Sequence, residues 1–513
     1  MDTNAKKLIQ DFSKMSQTKL EVVEKGFGIW IELDSKQMPT MCKSCSELGG
    51  VFDSAFAYPY EKRGEWSVAY FFRFSSIGKM VVLWAHASVF HSVSKVLPAS
   101  LWDERKMHEL SGKEFIGIPD ERPLIAHPES SRFSKVPARK KKMHEYKFFG
   151  TGAEEEFQIP VGPVHAGIIE SGHFRFHVVG EKINKLEVRL SYLHKGIEEL
   201  ASDKEPESLF PLIEQVSGDE SVANSVSYAQ AVESAMSLKV SSRANSIRLI
   251  LLELERIYSH LSDLGGISMD IGYYVSSSQF LVLREEMMRH NQTIYGNRFL
   301  RGLISIGGLS RDIPTSELHK TKEFLKRFSK TLLEIEKLTM ASSTFLDRVF
   351  TTGMVFQQTA KDLALVGPTA RASGISCDLR KHFAYGAYKH NKLRESLALD
   401  GDVLARFMVK LNEIKESVRL ISSETNKISN GPISQKTSKI KRKGSGIGIC
   451  EAPRGASTFV VFLGEGGKIT RILIRTASFR NWRAIEKAVK SNIIADFPVI
   501  NKSFNLSYSG TDL

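Results

Sequence analysis

Cysteine is scarce in this chain, with four residues in 513, at positions 42, 45, 377 and 450. That supply builds no disulfide framework and points to a reducing compartment. It also excludes an iron–sulfur cluster held by this chain alone, because such clusters draw on thiolates gathered at one site and these are scattered. Cys42-Lys-Ser-Cys45 has the spacing of a zinc or redox pair, but no second Cys/His pair follows within finger distance. An incidental pair near an N-terminal turn is the simpler reading, and Cys377 and Cys450 read as small core residues. Long apolar runs are also lacking. The best candidate, 75–90, is interrupted by Lys79 and His86 and falls short of the ~18 apolar residues that a span needs. The start, Met1-Asp-Thr-Asn-Ala-Lys-Lys7, has no apolar core of signal-peptide length. Membrane association is therefore expected to be peripheral or through a partner, with no transmembrane segment in this chain.

What the chain does have is basic charge. Its 71 Lys and Arg outnumber its 58 Asp and Glu, for a net charge of +13. Such a balance suits nucleic acid, an anionic lipid surface or an acidic partner subunit. A nucleic-acid reader needs a concentrated basic face with aromatic platforms, and these charges are scattered. No nucleic-acid partner is expected. The length allows two to four domains of ordinary size, each able to bury a core.

The patterning predicts an α+β protein. Residues 1–126 read as a mixed α/β unit, with strands at 67–74 and 80–84 and a helix at 102–110 closed by Ser111-Gly112. From 127 to 160 a basic run, Pro137–Met143, and an acidic run, Glu154–Glu156, suggest a solvated linker. Residues 161–513 form the rest. A β-hairpin is expected over 172–190, then a large central helical bundle. In that bundle Ile247, Ile250, Leu254, Ile257, Leu261 and Leu264 share one helix face and Gly265-Gly266 supplies a stop. Similar periods recur at 279–289, 321–338 and 403–426. A C-terminal β-hairpin, 458–463 with 469–474, flanks Gly464–Gly467 and precedes a short helix at 482–490. Lys439-Ile-Lys-Arg-Lys443 reads as an exposed basic loop.

Several short motifs then appear in order. They are Gly162-Pro-Val-His-Ala-Gly-Ile-Ile-Glu-Ser-Gly-His-Phe-Arg-Phe176, Leu193-His-Lys-Gly-Ile-Glu-Glu199, Gly307-Gly308 with Asp312-Ile-Pro314, and Gly367-Pro-Thr-Ala-Arg-Ala-Ser-Gly374 running into Asp378-Leu-Arg-Lys381. Glu451-Ala-Pro-Arg-Gly455 and Ala495-Asp-Phe-Pro498 complete the series. Together they resemble the large subunit of membrane-bound, energy-converting nickel–iron hydrogenases and the 49-kDa-type subunit of respiratory complex I. Trp102-Asp-Glu-Arg-Lys-Met-His-Glu-Leu-Ser-Gly112, followed by Gly117-Ile-Pro-Asp120, resembles the 30-kDa-type complex I subunit. The resemblance covers nearly the whole chain, as a fusion of the two.

The departure from that pattern is chemical. Glu214-Gln-Val-Ser-Gly-Asp-Glu-Ser221 and Ser503-Phe-Asn-Leu-Ser-Tyr-Ser-Gly-Thr-Asp512 resemble the two nickel-binding segments, each of which carries Cys-x-x-Cys in the hydrogenases. Here the pairs read Ser217 and Glu220, then Ser507 and Gly510. Thiolates bind and tune soft transition metals, and these four residues cannot replace them. The resemblance thus implies the fold without the nickel–iron centre.

Within that frame the candidate catalytic residues are Glu170, His165, His173 and Arg454. Glu170 matches the hydrogenase proton-transfer glutamate, with a paired structural carboxylate as the alternative. His165 and His173 bracket a loop on which a complex I histidine binds the quinone head group. Arg454 matches the arginine that overhangs the metal; it either holds an anionic acceptor or pairs with a carboxylate such as Glu220. Ser217, Glu220, Arg371 and Ser507 are the expected lining of a metal-free acceptor cavity. Against quinone stands Ser217-Gly218, where complex I has Asp-Tyr; Tyr508 is a weak substitute. The resemblance implies an oxidoreductase subunit, of NADH:quinone or hydrogenase-related type, set against a partner subunit that holds an iron–sulfur cluster. Quinone is the candidate acceptor. Membrane ion-translocating subunits are the further partners, and the expected place is cytoplasmic, peripheral on the inner face of the cell membrane. A structural coupling subunit with a silent cavity is the alternative.

Metal analysis of the purified complex is expected to give iron from the partners and no stoichiometric nickel; about one nickel per chain would overturn the argument from the four missing thiolates.

Overall fold

The computed structural model describes residues 3–16, 20–25, 28–60, 65–127, 146–166, 169–435 and 443–513. Strands β1 (Glu21–Lys25), β2 (Gly28–Glu32), β3 (Val51–Tyr60), β4 (Glu65–Phe74) and β5 (Lys79–Ala87) form one sheet in the order β1-β2-β5-β4-β3. Only the β2–β5 pair is parallel within it. Both faces of this sheet are covered, which is why its central strands carry apolar residues without polar alternation. One face, with Tyr70, Phe72 and Phe74, packs on helices α1 (Thr3–Ser16) and α2 (Met38–Glu47). The other, with Phe56, Phe71 and Val82, meets Ile449, Val460 and Leu473 from the far end of the chain. Cys42 and Cys45 lie in α2 rather than near a turn, both buried in that core. Burial pushes both thiols well above their ordinary range, so they are poor nucleophiles. Helix α3 (Leu101–Ser111) ends where Gly112 takes a left-handed conformation, as the sequence predicts.

Residues 128–145, with most of the expected linker and its basic run, lie outside the described residues, as do 436–442 of the second basic stretch. The last part of the linker is a strand instead. β6 (Phe157–Val161) pairs antiparallel with β7 (His173–Val179), which pairs with β8 (Lys182–Arg189). Phe157, Ile159 and Val161 alternate with Gln158 and Pro160, and the proline is tolerated because β6 is an edge strand.

The helical bundle comprises α4 (Ser221–Met236), α5 (Ser242–Asp270), α6 (Tyr274–Tyr295), α7 (Thr315–Met340) and α8 (Val403–Lys427). The expected stop at Gly265-Gly266 is wrong, because α5 continues to Asp270. Those glycines answer a packing need. A Cβ on Gly265 would come within 3.0 Å of the Leu281 side chain, and one on Gly266 would strike Lys502. The C-terminal strands are three rather than two: β9 (Gly444–Ala452), β10 (Gly455–Leu463) and β11 (Ile469–Arg475). Gly444, Gly446 and Gly448 of β9 lie against α4, where Cβ atoms would meet the carbonyls of Ala235, Ala231 and Ser227. Helices α9 (Ala477–Ala488), α10 (Phe497–Phe504) and α11 (Tyr508–Asp512) close the chain. The architecture is the expected α+β arrangement.

The N-terminal sheet is joined to the rest by ions as well as by apolar contact. Asp103, wholly buried on α3, lies 3.0 Å from Arg475 and 3.1 Å from Arg480. Arg475 also donates to the Ala55 carbonyl at 3.1 Å, and Arg480 to those of Ala99 and Asp53 at 2.7 and 2.8 Å. Removing one partner of a buried pair leaves the others desolvated and unpaired. Asp103→Asn is therefore expected to cost roughly 3–5 kcal/mol, whereas Glu317→Gln, in an exposed pair with Lys320, should cost no more than ~1 kcal/mol. Chemical denaturation of the two variants checks the contrast.

Candidate functional site

The loop between β6 and β7 carries His165 and Glu170, and His173 opens β7. The two histidines brace the loop. His165 Nε2 is 2.7 Å from the Gly172 carbonyl, and His173 Nδ1 is 3.1 Å from that of Gly162. Gly172 N–H donates back to the Pro163 carbonyl at 3.1 Å. His173 is buried, and burial lowers its affinity for a proton, favouring the neutral ring. Glu170 stays exposed, and its Oε2 accepts the Ser509 N–H at 3.1 Å. Val164 and Ile169 of the same loop are 84% and 41% exposed. Behind the loop, Lys195 Nζ bonds the carbonyls of Val216 and Ser509 at 3.4 and 3.2 Å. Asp512 accepts the N–H groups of Ser191 and Leu193, and burial pushes its carboxyl up to about 6.

The two segments that correspond to nickel-binding sequences do meet. A Cβ on Gly510 would lie 3.2 Å from the Cβ atoms of both Ser217 and Ser507. Their polar groups are turned to other work. Ser507 caps α11, its Oγ accepting the Gly510 N–H at 2.9 Å, and Ser217 Oγ donates to Asp219 at 3.0 Å. Arg454, on the turn between β9 and β10, reaches into the same place. It grips Asp219 through both terminal nitrogens at 3.0 and 2.7 Å, and its Nε donates to the Asn505 carbonyl. Its own N–H donates to Glu220 Oε1 at 3.0 Å, while its Nη1 lies 3.3 Å from Glu220 Oε2. Burial works to raise Asp219, but the guanidinium outweighs it and holds that carboxyl below its ordinary range. For Glu220 burial prevails, and the carboxyl is raised.

This arrangement corrects the expectation of one enclosed cavity. Glu170 and His165 belong to an outer layer and Arg454 to a buried one, joined by the segment Asn505–Ser509. The sequence offered a carboxylate such as Glu220 as a partner for Arg454; Glu220 is one, and Asp219, which was not named, takes the better share of the guanidinium. The donor set does not fit a nickel–iron centre. It consists of two engaged hydroxyls, one carboxyl and a glycine without a side chain, with a cation placed among them. Among the described residues no group of three or more His, Cys, Asp and Glu side chains is arranged to hold a metal ion.

Arg371 lies in neither layer. It is fully buried in a network that the sequence reading did not find. Helix α5 presents Glu253, Arg256, His260 and Asp263, at spacings of three and four, to α8, which presents Lys410, Glu413 and Ser417. Arg371 bonds Glu413 at 2.7 Å and Glu451 at 2.8 Å. Arg380 bonds Asp378 at 2.6 Å and Glu253 at 3.0 Å, and Lys410 bonds Asp263. His260 Nε2 lies 3.0 Å from Glu413. Asn505 ties the network to the Arg454 cluster through its side chain on Asp263 and its carbonyl on Arg454. The signal was in the sequence as a charged stripe with helical period beside the apolar one. Such a stripe normally faces water, and only the helices and strands packed around α5 make it interior.

With this geometry in place, comparison with known proteins becomes informative. The family model described as "Respiratory-chain NADH dehydrogenase, 49 Kd subunit" matches residues 270–446 and 438–513, and the 30 Kd subunit model matches 31–147. The chain is 30% identical to formate hydrogenlyase subunit 5 of Escherichia coli over 83% of its own length and 78% of the relative's. It is 31% identical to hydrogenase-4 component G of the same organism, over 83% and 76%. It is also 31% identical to the membrane-bound hydrogenase subunit alpha of Pyrococcus furiosus, over 69% and 87%. A fused 30- and 49-kDa-type arrangement, a paired apolar and ionic joint between its parts, and matches across both subunit models lead to one assignment: the chain belongs to the family of complex I 49-kDa-type and energy-converting hydrogenase large subunits, with a 30-kDa-type unit at its N-terminal side.

Proposed function

We propose that this chain is the subunit of a membrane-associated oxidoreductase complex at which a quinone or related acceptor is reduced, without nickel, beside a partner that holds an iron–sulfur cluster. The observation that carries this reading is Glu170. Among the described residues it is an exposed carboxylate with a single backbone hydrogen bond, on the same loop as the exposed apolar side chains of Val164 and Ile169. An apolar rim suits the ring of an organic acceptor, and a titratable group at that rim suits delivery of its protons. Reduction of a quinone to the quinol consumes two electrons and two protons. The electrons would come from the partner's cluster, and Glu170 would pass protons to the acceptor oxygens and be reprotonated from solvent. His165 and His173 hold the loop through its backbone carbonyls and act as positioning residues. The names of the relatives, which include hydrogenases and NADH-quinone oxidoreductases, support a redox complex of this kind. Membrane ion-translocating subunits complete it, and the chain would lie peripherally on the inner face of the cell membrane through them.

A second reading, a coupling subunit that performs no chemistry, is favoured by Arg454. Its guanidinium is already divided among Asp219, Glu220 and Asn505, which leaves it ill placed to grip an anionic acceptor. Glu170→Gln separates the two, because it preserves size and hydrogen bonding and removes the exchangeable proton. In the assembled complex, turnover with a quinone is expected to fall ~100-fold or more while assembly persists. Turnover within about twofold of the parent would leave the coupling reading standing and remove Glu170 from the chemistry.

A further inference from the structure

The network between α5 and α8 has an uneven charge count. Its carboxylates are Glu253, Asp263, Asp378, Glu413 and Glu451, all buried, and its cationic side chains are Arg256, Arg371, Arg380 and Lys410, also buried; burial lowers the proton affinity of Lys410 and its pairing with Asp263 opposes that. Five acids therefore face four cations. An uncompensated charge is costly in a low-dielectric interior, which favours uptake of one proton by the set.

His260 stands where that proton would be held. It is fully buried on α5, with Nε2 3.0 Å from Glu413 Oε2 and Nδ1 3.9 Å from Asp263 Oδ2. Both ring nitrogens thus face carboxylate oxygens, and Nδ1 has no hydrogen-bond partner. A neutral ring that donates from Nε2 would turn the Nδ1 lone pair toward an anion. An imidazolium presents a proton to each side. Two further buried cations act on these side chains and are matched elsewhere: Arg454 by Asp219 and Glu220, and Arg406 by Asp402 and the carbonyls of Gly401 and Gly353. Lys410 from α8 is spent on Asp263, and Arg256 on the same helix bonds Glu253 at 3.3 Å and lies 3.8 Å from Glu413. Arg371 and Arg380 reach the ring only through Glu413, at 2.7 and 3.9 Å. Asn505 lies on the opposite oxygen of Asp263 and is neutral.

We infer that His260 is a proton-holding site, the fifth cation of a buried five-by-five network, placed next to the Arg454 cluster through Asp263 and Asn505. Its existence does not depend on the acceptor reading. Its use does: a proton kept in the interior could be withdrawn and replaced as the charge on a neighbouring acceptor changes. The alternative seat for the same proton is Glu451, at the far side of Arg371, whose carboxyl burial raises.

The test is made on the assembled complex with histidine labelled in its ring nitrogens. Solid-state nitrogen resonance, with His260→Gln to identify the signal, is expected to show both ring nitrogens of His260 protonated at neutral pH. A His260 ring with one bare nitrogen at neutral pH would overturn the inference. Stability gives an independent readout that a purely steric role would not reproduce. His260→Gln should lower the unfolding midpoint, and adding Glu451→Gln, which restores four acids to four cations, should recover part of the loss. A double variant less stable than the single one would also overturn it. Neither measurement involves turnover, so a failure of the acceptor reading would be seen separately.

Discussion

Pairing of buried charges between α5 and α8 is the constraint around which the central bundle is arranged. Each ion there has given up its hydration and recovers that cost only through well-formed partners. Glu253 illustrates the degree of dependence: it takes Arg256, Arg380, Tyr388 and Ser417 at once. Those partners come from two long helices and from two short helical turns, Leu379–His382 and Gly386–His390. Shifting any of these elements by one turn would break several pairs together. An apolar core tolerates repacking of similar volumes; an interlocked set of ions admits far fewer arrangements.

The same physics holds together the two distant segments that meet at Arg454. Here the Arg454 guanidinium holds Asp219 in one and the Asn505 carbonyl in the other, while Ser217, Ser507 and the bare α-carbon of Gly510 fill the space. Glycine at 510 is part of that solution, since a Cβ would crowd both serines.

Much of this was legible in the sequence. Strands with dense aromatic and β-branched residues, the hairpin over 172–190, the four long helices and the left-handed glycine after α3 all follow from local rules. The family motifs located the outer loop and the two converging segments. The failures share one cause, which is that local pattern does not reveal what lies opposite. Gly265-Gly266 signals a helix end unless a neighbouring helix and Lys502 press against it. Glu253, Arg256, His260 and Asp263 signal a wet face unless the interior supplies counter-ions. Arg371, on a six-residue helix, carries no sign that its partners lie some forty and eighty residues away.

The alternating glycines of β9 have a mechanical consequence. Two residues along a strand advance ~6.8 Å and four along a helix ~6 Å, so Gly444, Gly446 and Gly448 keep step with the carbonyls of Ala235, Ala231 and Ser227 over two full turns. With no side chain between them, strand and helix form a laminate rather than a layered pair. The helix begins directly after Glu220 and the strand ends just before Arg454. The two charged groups are thus the jaws of a single stiff tweezer. A methyl group added at Gly448, more than ten ångströms down its shank by strand geometry, would spread the jaws without touching either tip.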